Sequence, residues 1–317
     1  MEILKLKPVF KDYIWGGTRL KSDFGFESGF EKTAEGWMLA CHKDGMNTAE
    51  GGKYDGMRLD DIIKAQGLGE FAGKNCLHFP YFPVLIKLID AYDNLSVQVH
   101  PDDKYAREVE NEFGKTEIWY VLDAADGAEL IYGFKEKITR AEFEEAINNN
   151  TLLDKLNRVK VKRGDLFFIE AGTVHAIGKG ALIAEIQQNS NCTYRVYDYG
   201  RLGKDGKPRE LHIKKALDVS VTAPPKYDIK PLGEEEQRDG CIFQKLCECE
   251  LFTVDRYKTD GSVSIFADDK SFNHLLIIDG EGEINGRAAK KGDSFFVPAN
   301  FGEYNISGKL EFLLTKI

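Results

Sequence analysis

Short apolar runs alternate with glycine-rich turns along most of this chain. Leu95, Val97 and Val99 alternate with Ser96, Gln98 and His100. A period of two sends the valines to one face of a strand and Gln98 and His100 to the other. Pro101 ends the ladder because it has no N–H to donate. Pro83 to Ala91 is a near-continuous apolar run interrupted by Lys87, the pattern of a strand buried on both faces. A lysine there must pair or reach an opening. Glu35 to Ala40 reads as a short strand, and Lys115 to Leu122 as another by its aromatic and β-branched content.

Helical windows are few. Leu59, Ile62 and Ile63 fall at i, i+3 and i+4, and Gly67 supplies a stop, predicting a helix over 59–66. A second is predicted over 101–113, with Pro101 in its first turn, Asp102 and Asp103 at the positive end of its dipole, and Gly114 ending it. The third runs from Thr139 to Asn148, opened by a Thr139–Glu142 capping box, with a shorter piece near Leu152 to Leu156. Strands dominate. The pattern predicts a mostly β protein with sandwich or barrel closure and a helical insertion near 139–156.

One β unit is used twice. Gly164-Asp165-Leu166-Phe167-Phe168-Ile169-Glu170-Ala171 resembles Gly292-Asp293-Ser294-Phe295-Phe296-Val297-Pro298-Ala299, and Val121-Leu122-Asp123 resembles Ile277-Ile278-Asp279 in the same order. The charged, proline-containing stretch 224–240 is the natural linker. The expected division is a large unit over 1–235 and a smaller one over 236–317.

The length, 317 residues, suits one large domain or two modest ones. A net charge of −9 disfavours non-specific nucleic-acid binding but leaves room for a local phosphate site. No apolar run approaches a membrane span, and the first residues lack the apolar core of a signal peptide, so cytoplasm is the expected location. The six cysteines form no C-x-x-C pair and do not read as a disulfide framework.

Candidate chemistry gathers in the first unit. His175 lies just past the turn that ends the Gly164 strand, between Gly172 and Gly178. With Gln98, His100 and Glu117 it makes two imidazoles, a carboxylate and an amide oxygen, a set suited to a divalent metal. Two His and one Glu are a catalytic zinc set that leaves a position for water or substrate. The repeat offers a check: it places Asn273 where Glu117 stands and Glu303 where His175 stands, so the second copy lacks the set. A rival arrangement, His100-Pro101-Asp102 with His175 and Arg195, follows the order of an iron and 2-oxoglutarate oxygenase triad. It leaves Glu117 idle, and a helix start already explains Asp102. In the polar, aromatic-interleaved stretch 185–201, Arg195 is a candidate to stabilise an oxyanion or hold a phosphate, and Glu185 to carry a proton.

Trp15-Gly16-Gly17, the Leu95 to Asp103 stretch, Lys115-Thr116-Glu117, Gly172-Thr173-Val174-His175 and Thr193-Tyr194-Arg195 together resemble the type I mannose-6-phosphate isomerases in their short bacterial form. The likeness runs in order from about residue 8 to 201; where longer members carry Lys-Pro-Glu this chain has Lys-Thr-Glu. The resemblance implies a cupin (jelly-roll) domain, a second smaller cupin-like domain, and a zinc-dependent interconversion of mannose 6-phosphate and fructose 6-phosphate through a cis-enediol. It places one zinc per chain on Gln98, His100, Glu117 and His175, and the active-site arginine at Arg195. Lys87 and Lys115 become candidate contacts to the sugar phosphate. A cupin that binds a sugar phosphate without turnover is the non-catalytic alternative.

Overall fold

The computed structural model describes residues 1–317. Two sheets face each other as a jelly roll. One orders the strands Leu156–Lys160, Glu129–Phe134, His175–Ala176, Val97–Val99 and Tyr194–Tyr197. The other orders Leu166–Ile169, Glu117–Ala124, Ala181–Gln188, Val84–Asp90, Glu35–Leu39 and Val9–Lys11. All pairings in both are antiparallel.

Period-two patterning decides what each face meets. Val97 and Val99 face outward into an apolar cluster with Phe143 and Leu217 of the helices Arg140–Asn148 and Ile213–Val219. Gln98 is left on the inner side. The Val84–Asp90 strand is buried along its whole length, as its apolar run predicts. Ile86 and Leu88 join the largest core cluster with Ile118, Ile186 and the 59–63 helix residues, while Lys87 faces the inner side. The capping box forms, with the Thr139 N–H donating to Glu142 Oε2 at 2.7 Å and the Glu142 N–H to Thr139 Oγ1 at 3.2 Å.

The helix expected over 101–113 is shorter, Asp103–Val109. Pro101 lies before its cap rather than in its first turn. Asp102 is the N-cap, accepting from the Tyr105 N–H at 2.8 Å, and Asn111 turns the chain away with φ of 55°. Gly178 is glycine for a different reason from Gly172. Gly172 has φ of 90°, but at Gly178 a Cβ would come within 1.8 Å of the Glu129 carbonyl oxygen.

The strands of 236–317 form a further sheet with Leu4–Lys7 and Thr48–Glu50 attached at one edge, Leu4 lying opposite Phe296. The repeat seen in the sequence is a repeat of geometry. Gly164 N–H donates to Val121 O and Gly292 N–H to Ile277 O, at 2.9 and 2.8 Å. Asp165 and Asp293 each accept from a backbone N–H three residues earlier at 2.9 Å. A bulge at Leu122 recurs at Ile278. Ile169 pairs with Glu117 as Val297 pairs with Asn273, the alignment read from sequence.

Candidate metal centre and active site

Gln98 sits between His175 and Arg195 in register on three neighbouring strands, which is why the three side chains share a face. The opposite sheet answers with charge. Trp37, Lys87, Glu185 and Trp119 lie in register across four strands, and Glu117 is two residues before Trp119 on the same face.

His100, Glu117 and His175 converge, all three buried, with one ligating atom of each within 4.8 Å of the others. Each histidine is held by a backbone carbonyl. His100 Nδ1–H donates to Cys192 O at 2.9 Å and His175 Nδ1–H to Thr173 O at 2.8 Å. That fixes the tautomer, leaving a lone pair on each Nε2. The two Nε2 atoms lie 3.1 Å apart, with Glu117 oxygens 3.6 Å from each. Two lone pairs and a carboxylate facing one point require a cation. Lys115 answers part of that field, its Nζ 3.1 Å from His100 Nε2 and 2.6 Å from Glu117 Oε2. That last contact lies off the hydrogen-bond direction, and both Glu117 oxygens are buried without a hydrogen-bond partner. Three donors so arranged fit a divalent ion. Gln98 brings its amide to 3.4 Å from His175 Nε2, and turned over it offers its oxygen.

Burial governs the protonation states. Desolvation, with Lys115 adding to it, holds His100 well below the ordinary imidazole range. Desolvation alone outweighs everything else at His175, lowered to about 3. Both are therefore neutral, as ligands must be. Desolvation raises Glu117 to about 7, with Glu185 contributing.

A cavity of about 250 Å³ adjoins this centre, lined in part by Lys87, Lys115, Gln98, Arg195, Arg209 and Glu185. Lys87 is buried and paired with Glu185 Oε1 at 2.9 Å. Trp119 Nε1–H donates to the other oxygen, Oε2, at 3.0 Å, and Lys115 lies 3.7 Å from Oε1. Desolvation would raise Glu185, but Lys115 and Lys87 outweigh it and bring the carboxyl down to about 2. Both its oxygens are engaged. Arg195 donates through Nη1 to Glu210 O at 2.8 Å, while its Nε is buried without a partner. Burial and then Arg209 press its ionisation downward.

Asp102 stays outside. Its carboxylate is exposed and committed to the helix start, so the oxygenase-type triad is not assembled, and Glu117 takes the third position. Sequence reasoning passed over Glu35, Arg209, Asn191 and Thr193, which also line the cavity. Asn191 and Thr193 had a signal, their place in the polar stretch 185–201 that carries Arg195. Glu35 opens a strand that the sequence does show, and Arg209 lies in a loop, but no local pattern marks either for the site.

Comparison with known proteins points to one family. Residues 3–130 match the model of the phosphomannose isomerase type I catalytic domain, and residues 243–317 that of the mannose-6-phosphate isomerase cupin domain. The chain is 40% identical to mannose-6-phosphate isomerase ManA of Bacillus subtilis, over all of this chain and 99% of that one. It is 37% identical to mannose-6-phosphate isomerase of Streptococcus mutans, covering 98% and 97% of the two chains. The crystal structure of mannose 6-phosphate isomerase from Bacillus subtilis superposes with a TM-score of 0.91 at 37% identity, covering both chains fully. A putative mannosephosphate isomerase from Archaeoglobus fulgidus shares the fold, with a TM-score of 0.78 at 22% identity over 99% and 96% of the two chains.

Proposed function

This chain belongs to the type I phosphomannose isomerase family, and from that premise we propose that it interconverts mannose 6-phosphate and fructose 6-phosphate at the centre built on His100, Glu117 and His175. The observation that carries the reading is the pair of buried imidazole lone pairs converging with the Glu117 carboxylate on one point, with the Lys115 ammonium beside them. Gln98 is the fourth ligand in this reading, and zinc the ion, one per chain, because N and O donors in a two-His, one-Glu set suit it. The ion supplies Lewis-acid polarisation of the sugar oxygens when bound.

The chain's own residues do the rest. Lys87 and Lys115 present positive charge to a phosphorylated sugar. Glu185 and Arg195 are the two residues we place nearest the chemistry, with divided roles. Arg195 offers its unpartnered Nε–H to a developing enediolate or phosphate oxygen while Nη1 stays anchored to Glu210 O. Glu185 is the proton carrier in this reading. Lys115 and Lys87 outweigh its desolvation and keep the carboxylate ionised, the state that accepts a proton, and its pairing holds the two ammonium groups in place. It takes the proton from one of C1 and C2 and returns it to the other through a cis-enediol.

Residues 1–235 are the metal-binding unit in this reading, and 236–317 the supporting one. No helix is long and apolar enough to cross a membrane. All six cysteines are free, which supports a reducing, cytoplasmic setting. A coupled assay for fructose 6-phosphate formation tests the reading. Turnover that is lost on chelation and restored by zinc is the expected result. A protein that binds the sugar phosphate without converting it would overturn it in favour of a non-catalytic cupin.

A further inference from the structure

Gln187-Gln188-Asn189 is buried, polar and absent from the machinery described so far. Gln188 is the informative member. Its Oε1 accepts from the Thr116 N–H at 2.9 Å, and its Nε2 donates to Asp103 Oδ1 at 3.0 Å. Thr116 lies between Lys115 and Glu117, and Asp103 lies three residues after His100. One amide therefore ties together the segments that carry two of the three convergent donors.

The rest of the local network closes around the same point. Asp103 Oδ1 also accepts from the Gly114 N–H at 2.7 Å. Lys115 N–H donates to Pro101 O at 3.0 Å, and Gln188 N–H to Thr116 O at 3.1 Å. The third ligand segment is stitched on through Gly172 N–H to His100 O at 2.8 Å and Ala171 N–H to Thr116 Oγ1 at 3.3 Å. Gly114 packs so closely that a Cβ there would come within 2.5 Å of the Asp103 nitrogen.

We propose that Gln188, acting through Asp103 and Thr116, is a positioning residue that sets the separation of His100 and Glu117 and thereby the affinity of the centre for its metal. This rests on the metal-centre reading above. The chemistry of the amide is specific. Only a group with one acceptor and one donor satisfies Thr116 N–H and Asp103 Oδ1 together. A glutamate of the same shape keeps the first bond and sets a second carboxylate against Asp103. Outer residues that orient metal ligands typically carry about 10- to 100-fold in metal affinity.

The test is zinc binding by the full-length protein after chelator treatment, read by competition with a chromophoric chelator, with the melting temperature of each metal-free variant measured alongside. Gln188→Glu should weaken zinc binding by about 10- to 100-fold while still melting cooperatively. Gln188→Ala should weaken it in the same direction. Adding Asp103→Asn to Gln188→Glu removes the repulsion and should recover part of the loss, which a general packing defect would not do. If Gln188→Glu does not fold, Gln188→Ala and Asp103→Ala, each of which removes one end of the tie and should weaken zinc binding, carry the test. Zinc affinity within about twofold of the parent in the folded variants, or no recovery in the double variant, overturns the proposal. A parent protein that binds no zinc overturns the metal-centre reading itself, and this inference with it.

Discussion

The two copies of the β unit share a backbone and differ in what they enclose. In the first, Glu117 stands opposite Ile169 and turns inward to meet His100 and His175. In the second, Asn273 stands opposite Val297, and its amide is spent on the Tyr304 hydroxyl at 3.0 Å. Tyr304 is itself buried among Leu275, Ile277, Ile306 and Phe312, and Glu303, the counterpart of His175, is exposed. The framework is a packing solution that serves either purpose. The first copy keeps unsatisfied donors buried because a cation can answer them. The second fills the same space with Asn273 and Tyr304, which pair with each other. The cost of an unpaired buried charge decides which copy can carry chemistry.

The largest effect expected on this contrast is at Glu117. Glu117→Ala should abolish metal retention and bring turnover down to that of chelator-treated protein. Asp102→Ala should leave metal content unchanged and cost about 1 kcal/mol through the lost helix cap. Metal analysis with a thermal melt checks both, and the reverse pattern would sink the ligand assignment. Next comes Lys87→Met, which leaves Glu185 buried with one cation fewer. A loss of about 3–5 kcal/mol is expected from urea denaturation, a large part of a typical domain's stability.

Asn273→Glu with Glu303→His writes the first copy's residues into the second. The double variant should bind no additional zinc and lose about 3 kcal/mol, because the new carboxylate is buried with no cation to answer it. A second equivalent of zinc would break the comparison.

The effect that is smallest at neutral pH concerns titration, because it develops only on acidification. His274, in the second unit, is fully buried, and desolvation lowers it to about 3 from 6.5. The folded state therefore stays unprotonated where the unfolded chain takes up a proton. Stability from this group is present above pH 6.5 and is lost as pH falls toward 3, at up to about 1.4 kcal/mol per pH unit. Glu185 acts lower, between 4.5 and about 2, where its depressed carboxyl loses its contribution as it is protonated. Urea melts across pH should show His274→Gln lowering the slope of the upper window by its one-proton share, with His100 and His175 carrying the rest, and leaving the Glu185 contribution unchanged. An unchanged slope above pH 4.5 would count against the burial argument.

Much of this was legible along the chain because it depends on local periodicity and local chemistry. Alternation at 95–100 put Gln98 and His100 on one face, the capping box fixed a helix start, and two Gly-Asp turns announced a unit used twice. Asp102 was readable as a helix start because capping needs only the next few residues. The end of that helix was not readable, since Asn111 leaves it through a left-handed turn that several residue types allow. Tertiary structure alone decided which charges meet. Lys87 and Glu185 are 98 residues apart and pair only because their strands are neighbours in register. Gln188 reads as one more polar residue until the fold brings Asp103 and Thr116 to its two ends. Periodicity says which way a side chain points; the fold alone says what it finds there, because strand order and register are set by the packing of the whole chain.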